Sequence, residues 1–399
     1  MNNKSSVKTL KKVCLITDFY WPSIGGVEQW VRTIASNLSG YYNVTIVTHA
    51  LNSGISPFGL NFILRKKIKN YKDEAGNQVI VLNTSGIARL FLLPLIAWKL
   101  PFVKRLFPQK LFDNLYIFYK AAFYGKISSL IVDFNIVHCF STGYAAICTT
   151  DACMRLSVPL IHSPPVHFSK WGDTRLLLES YSKAKMILCL SESFKSNFRK
   201  NMPNSTVPVY TVPVPIPFPE NLKNLEIHIP SPFILFLGKR EKNKGLQLLL
   251  PAFEKISRPV SLVIAGPGKK IPSGNPWVID TGTVDEEGKN WLVAHCGILC
   301  VPSSDESFGI VYAEAMARGK PIVALDISPV NEIVINNVTG LLTPPGNIDM
   351  LRDSLDTMIN NPEKAGKMGE NGYKRYCEFL EEKIVMEKIM LHYDSIIKK

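Results

Sequence analysis

The sequence contains no Cys-x-x-Cys pair, no Asp-x-Asp triplet and no Gly-x-Gly-x-x-Gly string. Without the first, the eight cysteines read as buried free thiols in strands and helices, not as zinc ligands or a redox couple, which fits a reducing compartment. Without the second, there is no short acidic turn of the kind that carries a divalent ion, and no metal is expected. Without the third, the common dinucleotide fingerprint is missing. Long apolar runs are lacking too. The apolar stretch Val13-Cys14-Leu15-Ile16-Thr17, behind a basic amino terminus, is too short for a secretory leader. Leu90 to Trp98, broken by Pro94, falls far short of the roughly 20 residues that a membrane span needs. The expected location is the cytoplasm.

What is present is a chain of 399 residues, 46% of them apolar, with no internal repeat and no low-complexity tract. That is enough for two domains, each with its own core. The net charge of +13 is unevenly spread. Residues 61–130 hold twelve Lys and Arg against only Asp73, Glu74 and Asp113, and they include the apolar, cationic string ARLFLLPLIAWKLPFVKRLF. One reading is peripheral contact with an anionic membrane surface on its inner face, with cations on headgroups and Leu, Phe and Trp sunk between them. The other is a helix pair packed on its own domain with a solvated basic rim. Nucleic acid is disfavoured, because these cations lie among aliphatic residues and not among aromatic and polar ones.

Taken in order, the chain alternates short apolar runs with amphipathic stretches, the rhythm of a parallel α/β sheet. KVCLIT reads as a strand, and Gly25-Gly26 opens a helix with Val27, Val31, Ile34 and Leu38 on its apolar face. His162 ends the strand VPLIH, where open α/β sheets place ligands, although a lone histidine there also serves structure. Residues 211–233 are dense in proline and read as a stiff connection. They divide a first domain, 1–210, from a second, 234–380. In the second, FILFLGKREKNKGL gives a strand, a cationic loop and a helix. Lys239 and Lys244 bracket a turn able to place two ammonium groups on a diphosphate; a solvated basic loop is the plainer alternative.

The most informative stretch is 302–346, PSSDESFGIVYAEAMARGKPIVALDISPVNEIVINNVTGLLTPPG. It reads as a loop, a helix capped by Ser307 and stopped by Gly319 and Pro321, then strand, helix and strand. The N–H groups of Phe308, Gly309 and Ile310 then form the positive pole of the helix, a ready anion site. Glu306 and Glu314 flank it. Carboxylates beside a phosphate-binding pole make sense if they grip hydroxyls, and a nucleotide-sugar supplies both groups. The plainer reading is a capping loop with two solvated glutamates.

Glu306 and Glu314 within ESFGIVYAEAMARGKPIV, followed by Glu332 and Thr339-Gly340-Leu341-Leu342, resemble the signature of retaining glycosyltransferase family 4. The resemblance spans nearly the whole chain and is strongest over 234–346. It implies the GT-B architecture, two facing Rossmann-like α/β domains with an inter-domain cleft, and a last helix, about 381–399, returning to the first domain. It implies transfer of a sugar from a UDP- or GDP-linked donor to an acceptor hydroxyl, with retention and with neither metal nor cofactor. Lys239, Lys244 and the helix pole would hold the diphosphate, Glu306 the sugar and Glu314 the ribose. His162 would lie close to the reacting sugar, with His138 and His167 as spares. Gly25 and Gly26 would face the donor phosphate and acceptor, Glu28 and His167 the acceptor. The turn Gly266-Pro267-Gly268 lies near where the family seats the base. This sequence departs from the family pattern in two places. Lys239 stands where arginine is usual, so either Arg240 beside it takes the donor phosphate or the grip is looser, and Val214-Pro215-Ile216-Pro217 replaces a polar Asn-Gly-Val-Asp-like stretch. The basic apolar segment suggests a lipid-linked or cell-surface glycan acceptor. A non-catalytic nucleotide-sugar-binding homologue, a basic membrane- or nucleic-acid-binding protein, and a sugar-nucleotide epimerase are the other readings.

Overall fold

The computed structural model describes residues 10–23, 25–50, 67–84, 86–97, 111–166, 174–218, 222–223, 228–271 and 274–397. By its contacts the chain forms two compact units. The first comprises Met1–Leu190, Phe194–Val212 and Met386–Lys399; the second comprises Ser191–Ser193 and Pro213–Val385. Both are α/β with parallel sheets.

The first unit is built on eight strands: β1 (Lys12–Phe19), β2 (Asn43–Ala50), β3 (Tyr71–Lys72), β4 (Gln78–Val81), β5 (Ile136–Cys139), β6 (Leu160–His162), β7 (Met186–Cys189) and β8 (Val209–Thr211). Their order is β3-β4-β2-β1-β5-β6-β7-β8, parallel throughout except for β3 against β4. A parallel sheet covered on both faces needs strands that are apolar on both faces. β1 meets this demand with Val13–Thr17 wholly buried, and each large aliphatic so enclosed contributes about 1.5–3 kcal/mol. Helices α1 (Gly26–Leu38), α2 (Tyr116–Ile131), α3 (Gly143–Leu156) and α4 (Arg175–Ser182) belong to this unit.

The apolar residues of α2, from Tyr119 and Phe123 to Ile127 and Ile131, are buried in the unit's own core. For this part of the basic segment, packing on its own domain is therefore the outcome. Residues 61–66 and 98–110 lie outside the described residues.

The second unit has six parallel strands: β9 (Phe233–Leu237), β10 (Ser261–Ala265), β11 (Val278–Gly282), β12 (Ile298–Val301), β13 (Ile322–Leu325) and β14 (Gly340–Thr343). Their order is β11-β10-β9-β12-β13-β14. The chain order reverses about β9, so β9, β10 and β12 lie side by side, and loops from their carboxyl ends converge, as at the ligand-binding crevice of open α/β sheets. Helices α5 (Leu246–Phe253), α6 (Glu286–His295) and α7 (Ile310–Ala317) follow β9, β11 and β12.

The proline-rich stretch is not a free tether where it is described. The Ile216 amide donates to Leu380 O at 3.0 Å, and the Tyr376 hydroxyl donates to Ile216 O at 3.1 Å, both within the second unit. Helix α8 (Glu382–Ile397) begins in the second unit, and its residues from Met386 belong to the first. There Tyr393 meets His138 Nδ1 at 2.7 Å, and Asp394 accepts from the Tyr42 hydroxyl at 3.3 Å.

All eight cysteines are free; seven are buried, and Cys377 is partly exposed. No described helix is long and apolar enough to cross a membrane.

Candidate functional site

In the second unit, three loops meet at the carboxyl ends of β9, β10 and β12. The first runs from Gly238 to Gly245 and the third from Pro302 to Gly309. Gly245 takes a left-handed backbone (φ 79°), and a Cβ there would stand 1.8 Å from Pro302 O. Glycine alone satisfies both the conformation and the contact. Hydrogen bonds then lace the loops together. Asn243 O accepts from the Ser304 amide at 2.7 Å and from the Ser303 hydroxyl at 3.1 Å. This seating brings Lys244 Nζ to 2.7 Å from Glu306 Oε1, with the side chains 23% and 9% exposed. The two residues are far apart in the chain, and both belonged to the expected set.

Helix α7 begins at Ile310. Its cap corrects the sequence expectation: Gly309, not Ser307, occupies the N-cap, in a left-handed conformation (φ 96°) and with no side-chain cap bond. The helix does not use its own first N–H groups. Phe308 is buried, so it can offer a ligand only its backbone. The Tyr312 hydroxyl donates to Val301 O at 2.7 Å and ties α7 to β12.

Glu314, one turn further on, faces α6. Lys289 Nζ lies 2.6 Å from Glu314 Oε1 and 2.6 Å from Glu286 Oε1. Burial alone would lower the Lys289 ammonium, but the two carboxylates outweigh it and hold the group charged, above the ordinary lysine value.

Lys239 is exposed on the first loop. Arg240 requires a correction, because its guanidinium is committed elsewhere. It pairs with Asp280 and donates to Lys269 O at 2.8 Å, and the pair is almost wholly enclosed. Burial would raise Asp280, but the amides of Ile271 and Gly282 and the guanidinium outweigh it and hold the carboxyl below its usual range. Arg240 thus braces the turn after β10, and a Cβ on Gly268 would meet its side chain at 2.6 Å. An arginine enclosed in this way supports the loop and is not available as a fork for phosphate.

In the first unit, Gly25 is extended (φ −175°), a conformation open to any residue. The space beside it is taken by the end of a flexible side chain. A Cβ would lie 2.3 Å from Glu28 Oε2, because the Glu28 carboxylate folds back over Gly25 and accepts from the Ser23 hydroxyl at 3.2 Å. Gly26 is the first residue of α1. Glu28 is therefore turned inward.

His162 also requires correction. It is fully buried, with Nε2 at 2.9 Å from Thr150 Oγ1 on α3 and its ring edge-on to Tyr181 on α4. Burial pulls it down to about 3, so it stays neutral. His138 is likewise enclosed, between Tyr393 and Ser163. His167 lies outside the described residues.

The polar group that does stand at strand ends in this unit was missed. Asp18 near the end of β1 has Oδ1 at 4.0 Å from His49 Nδ1 on β2, and His49 Nε2 bonds the Tyr119 hydroxyl from α2. The Thr142 amide donates to Asp18 Oδ2 at 3.3 Å. The strand-end rule that selected His162 also points to Asp18 and His49, had it been applied to every strand.

Comparisons with known proteins agree with this geometry. Residues 218–375 match the family description "Glycosyl transferases group 1". An uncharacterized glycosyltransferase of Methanocaldococcus jannaschii is 30% identical over 254 residues, covering 58% of this chain and 67% of that protein. The phosphatidyl-myo-inositol mannosyltransferase of Mycobacterium leprae is 30% identical over 177 residues, covering 41% of this chain and 46% of the relative. Among solved structures, Anabaena HepE in complex with UDP-glucose superposes with a TM-score of 0.71 at 16% identity, over 96% of this chain and 99% of that one. At that identity the likeness speaks for the fold.

Burial raises Asp18 from 3.8 to about 6, ahead of its hydrogen bonds, which lower it, and of Glu28, which raises it. A raised folded value favours the protonated acid, so its contribution to stability is present below about pH 4 and is lost as pH rises through about 6. Asp18→Asn is therefore expected to melt at or above the wild type near pH 7.5 and to have less of that advantage near pH 5. Thermal melts at both pH values check this; a variant destabilised more at the higher pH contradicts it.

Proposed function

The chain belongs to the glycosyl transferases group 1 family, and on that premise we propose that it moves a sugar from a nucleoside-diphosphate donor to an acceptor hydroxyl with the anomeric configuration retained. The observation that carries this reading is the Lys244–Glu306 pair held at the amino pole of α7. A donor diphosphate takes Lys244 as its countercharge, with Lys239 beside it, and turns to the N–H groups of Gly309 and Ile310. Glu306, relieved of its lysine, accepts from the sugar hydroxyls near the anomeric carbon, while Glu314 accepts from the ribose hydroxyls.

The bond between the anomeric carbon and the diphosphate oxygen breaks with its electron pair leaving on the diphosphate. The new bond to the acceptor oxygen forms on the same face, and the acceptor proton passes to the departing phosphate oxygen. The chain acts mainly through electrostatics: lysines and helix dipole stabilise charge growing on the leaving group, an effect that commonly dominates such catalysis. No carboxylate is assigned as a nucleophile, and no step is assigned to His162. The reaction so drawn needs no metal.

Isothermal titration with UDP- and GDP-sugars, with and without EDTA, tests the donor and the metal requirement together. One donor is expected to bind equally in both conditions. Glu306→Gln is expected to lower kcat about 10²- to 10³-fold with little change in donor affinity. Binding that depends on a metal, or a Glu306→Gln enzyme of normal rate, contradicts the reading.

The acceptor is proposed to be a lipid-linked or cell-surface glycan met at an anionic membrane. Support comes from the first unit, where Ile87, Leu90, Phe91 and Leu93 are exposed while Leu92 and Leu95 anchor the same stretch in the core. Lys67, Lys69 and Lys72, also exposed, come just before it in the chain. Leu90→Asp with Phe91→Asp is expected to reduce partitioning onto phosphatidylglycerol vesicles at least about tenfold in a co-sedimentation assay. Equal partitioning of variant and wild type, or none by the wild type, contradicts it.

A further inference from the structure

In the second unit, both glutamates that flank the start of α7 in sequence, Glu306 and Glu314, pair with a lysine, and the two pairs differ in kind. Lys244 comes from a loop, is 23% exposed, and has to leave Glu306 when a diphosphate arrives. Lys289 comes from the body of α6 and meets Glu314 from the body of α7, with the two side chains 15% and 13% exposed. Its other partner, Glu286, is 65% exposed, and such a surface pair contributes little. The first turn of α6 is fixed independently, because the Asp285 side chain at its N-cap accepts from the Gly288 amide at 2.8 Å. Lys289 is therefore presented to Glu314 from a settled helix, and the Lys289–Glu314 contact is the buried one.

We propose that Lys289 is the positioning residue for Glu314, fixing its carboxylate so that the site distinguishes a ribonucleoside diphosphate from its 2′-deoxy counterpart. This rests on the reading of Glu314 as the acid that accepts from the ribose. The physical reason is direct. A carboxylate so little exposed, without its countercharge, would lose the contact that fixes one of its oxygens and with it the orientation it presents to the ribose. The ammonium holds one oxygen in place. Unlike Lys244, Lys289 has no ligand to move to, so it stays in place through the cycle. Its removal therefore affects recognition of the sugar ring of the nucleotide and not the release of diphosphate.

The test is titration of the wild type, Lys289→Met, Lys289→Arg and Glu314→Gln with UDP against 2′-deoxy-UDP and GDP against 2′-deoxy-GDP. The wild type is expected to prefer one ribonucleotide over its deoxy form by about tenfold, the size of one hydrogen bond to a charged group. Lys289→Met and Glu314→Gln are each expected to bring that ratio below about twofold, with no further change in the double variant. Lys289→Arg keeps the charge but shifts its point of contact, so its ratio is expected to fall partway, and this variant carries the test should the methionine variant fail to fold. A loss of packing alone would weaken both nucleotides alike and leave the ratio unchanged. If the wild type discriminates and the Lys289 variants do so equally, this inference alone falls. If the wild type binds ribo and deoxy forms equally, or neither, the assignment of Glu314 falls and takes the inference with it.

Discussion

Most of the second unit's chemistry depends on one close approach, that of the Gly245 backbone to the carbonyl of Pro302. Any side chain at Gly245 would force two strand-end loops apart. With them would go the hydrogen bonds that Asn243 O accepts from Ser303 and Ser304, and with those the seating of Lys244 against Glu306. A similar constraint acts between the neighbouring loops, where a Cβ on Gly266 would stand 2.1 Å from Gly238 O. Positive charge and carboxylate are thus placed by backbone packing at the ends of β9, β10 and β12.

Three cations of this region have three different tasks. Lys244 forms a pair between loops, Lys289 a pair between helices, and Arg240 an almost wholly enclosed pair with Asp280 that braces the turn after β10. Breaking an enclosed pair by removing one partner costs several times more than breaking an exposed one. The enclosure of the cation decreases from Arg240 through Lys289 to Lys244. The shift of arginine by one position from the family's usual place is consistent with this division. On the proposed reading a diphosphate then meets a point charge at Lys239, while the planar fork of Arg240 goes to a planar carboxylate.

Much of the architecture was legible in the sequence because its signals are local. Runs such as KVCLIT and FILFL are apolar on both faces, as strands covered on both sides require, and the helix after ESFG begins within a residue of its expected start. Glu306 was singled out beside a helix pole and Lys244 in a cationic turn, and the structure brings these two together. What escaped depends on contacts between residues far apart in sequence. Nothing local says that Arg240 meets Asp280 forty residues on, that Lys289 turns toward Glu314, or that α2 brings Tyr119 to His49. His162 was misjudged for a related reason. A strand end is where ligands bind, yet Thr150 and Tyr181, which arrive from two helices, close over this one. The Ser307 cap failed because a left-handed glycine at the helix start is a three-dimensional solution that the preference for serine does not anticipate.

The proposed chemistry turns on where a diphosphate sits and on what Lys244 does when it arrives. The most direct measurement is a crystal structure of the protein with its preferred nucleoside diphosphate. The expected result is a phosphate oxygen within hydrogen-bond distance of the Gly309 or Ile310 amide, and Lys244 Nζ moved from Glu306 onto that phosphate. A diphosphate bound elsewhere, or one bound while Lys244 stays on Glu306, would contradict it.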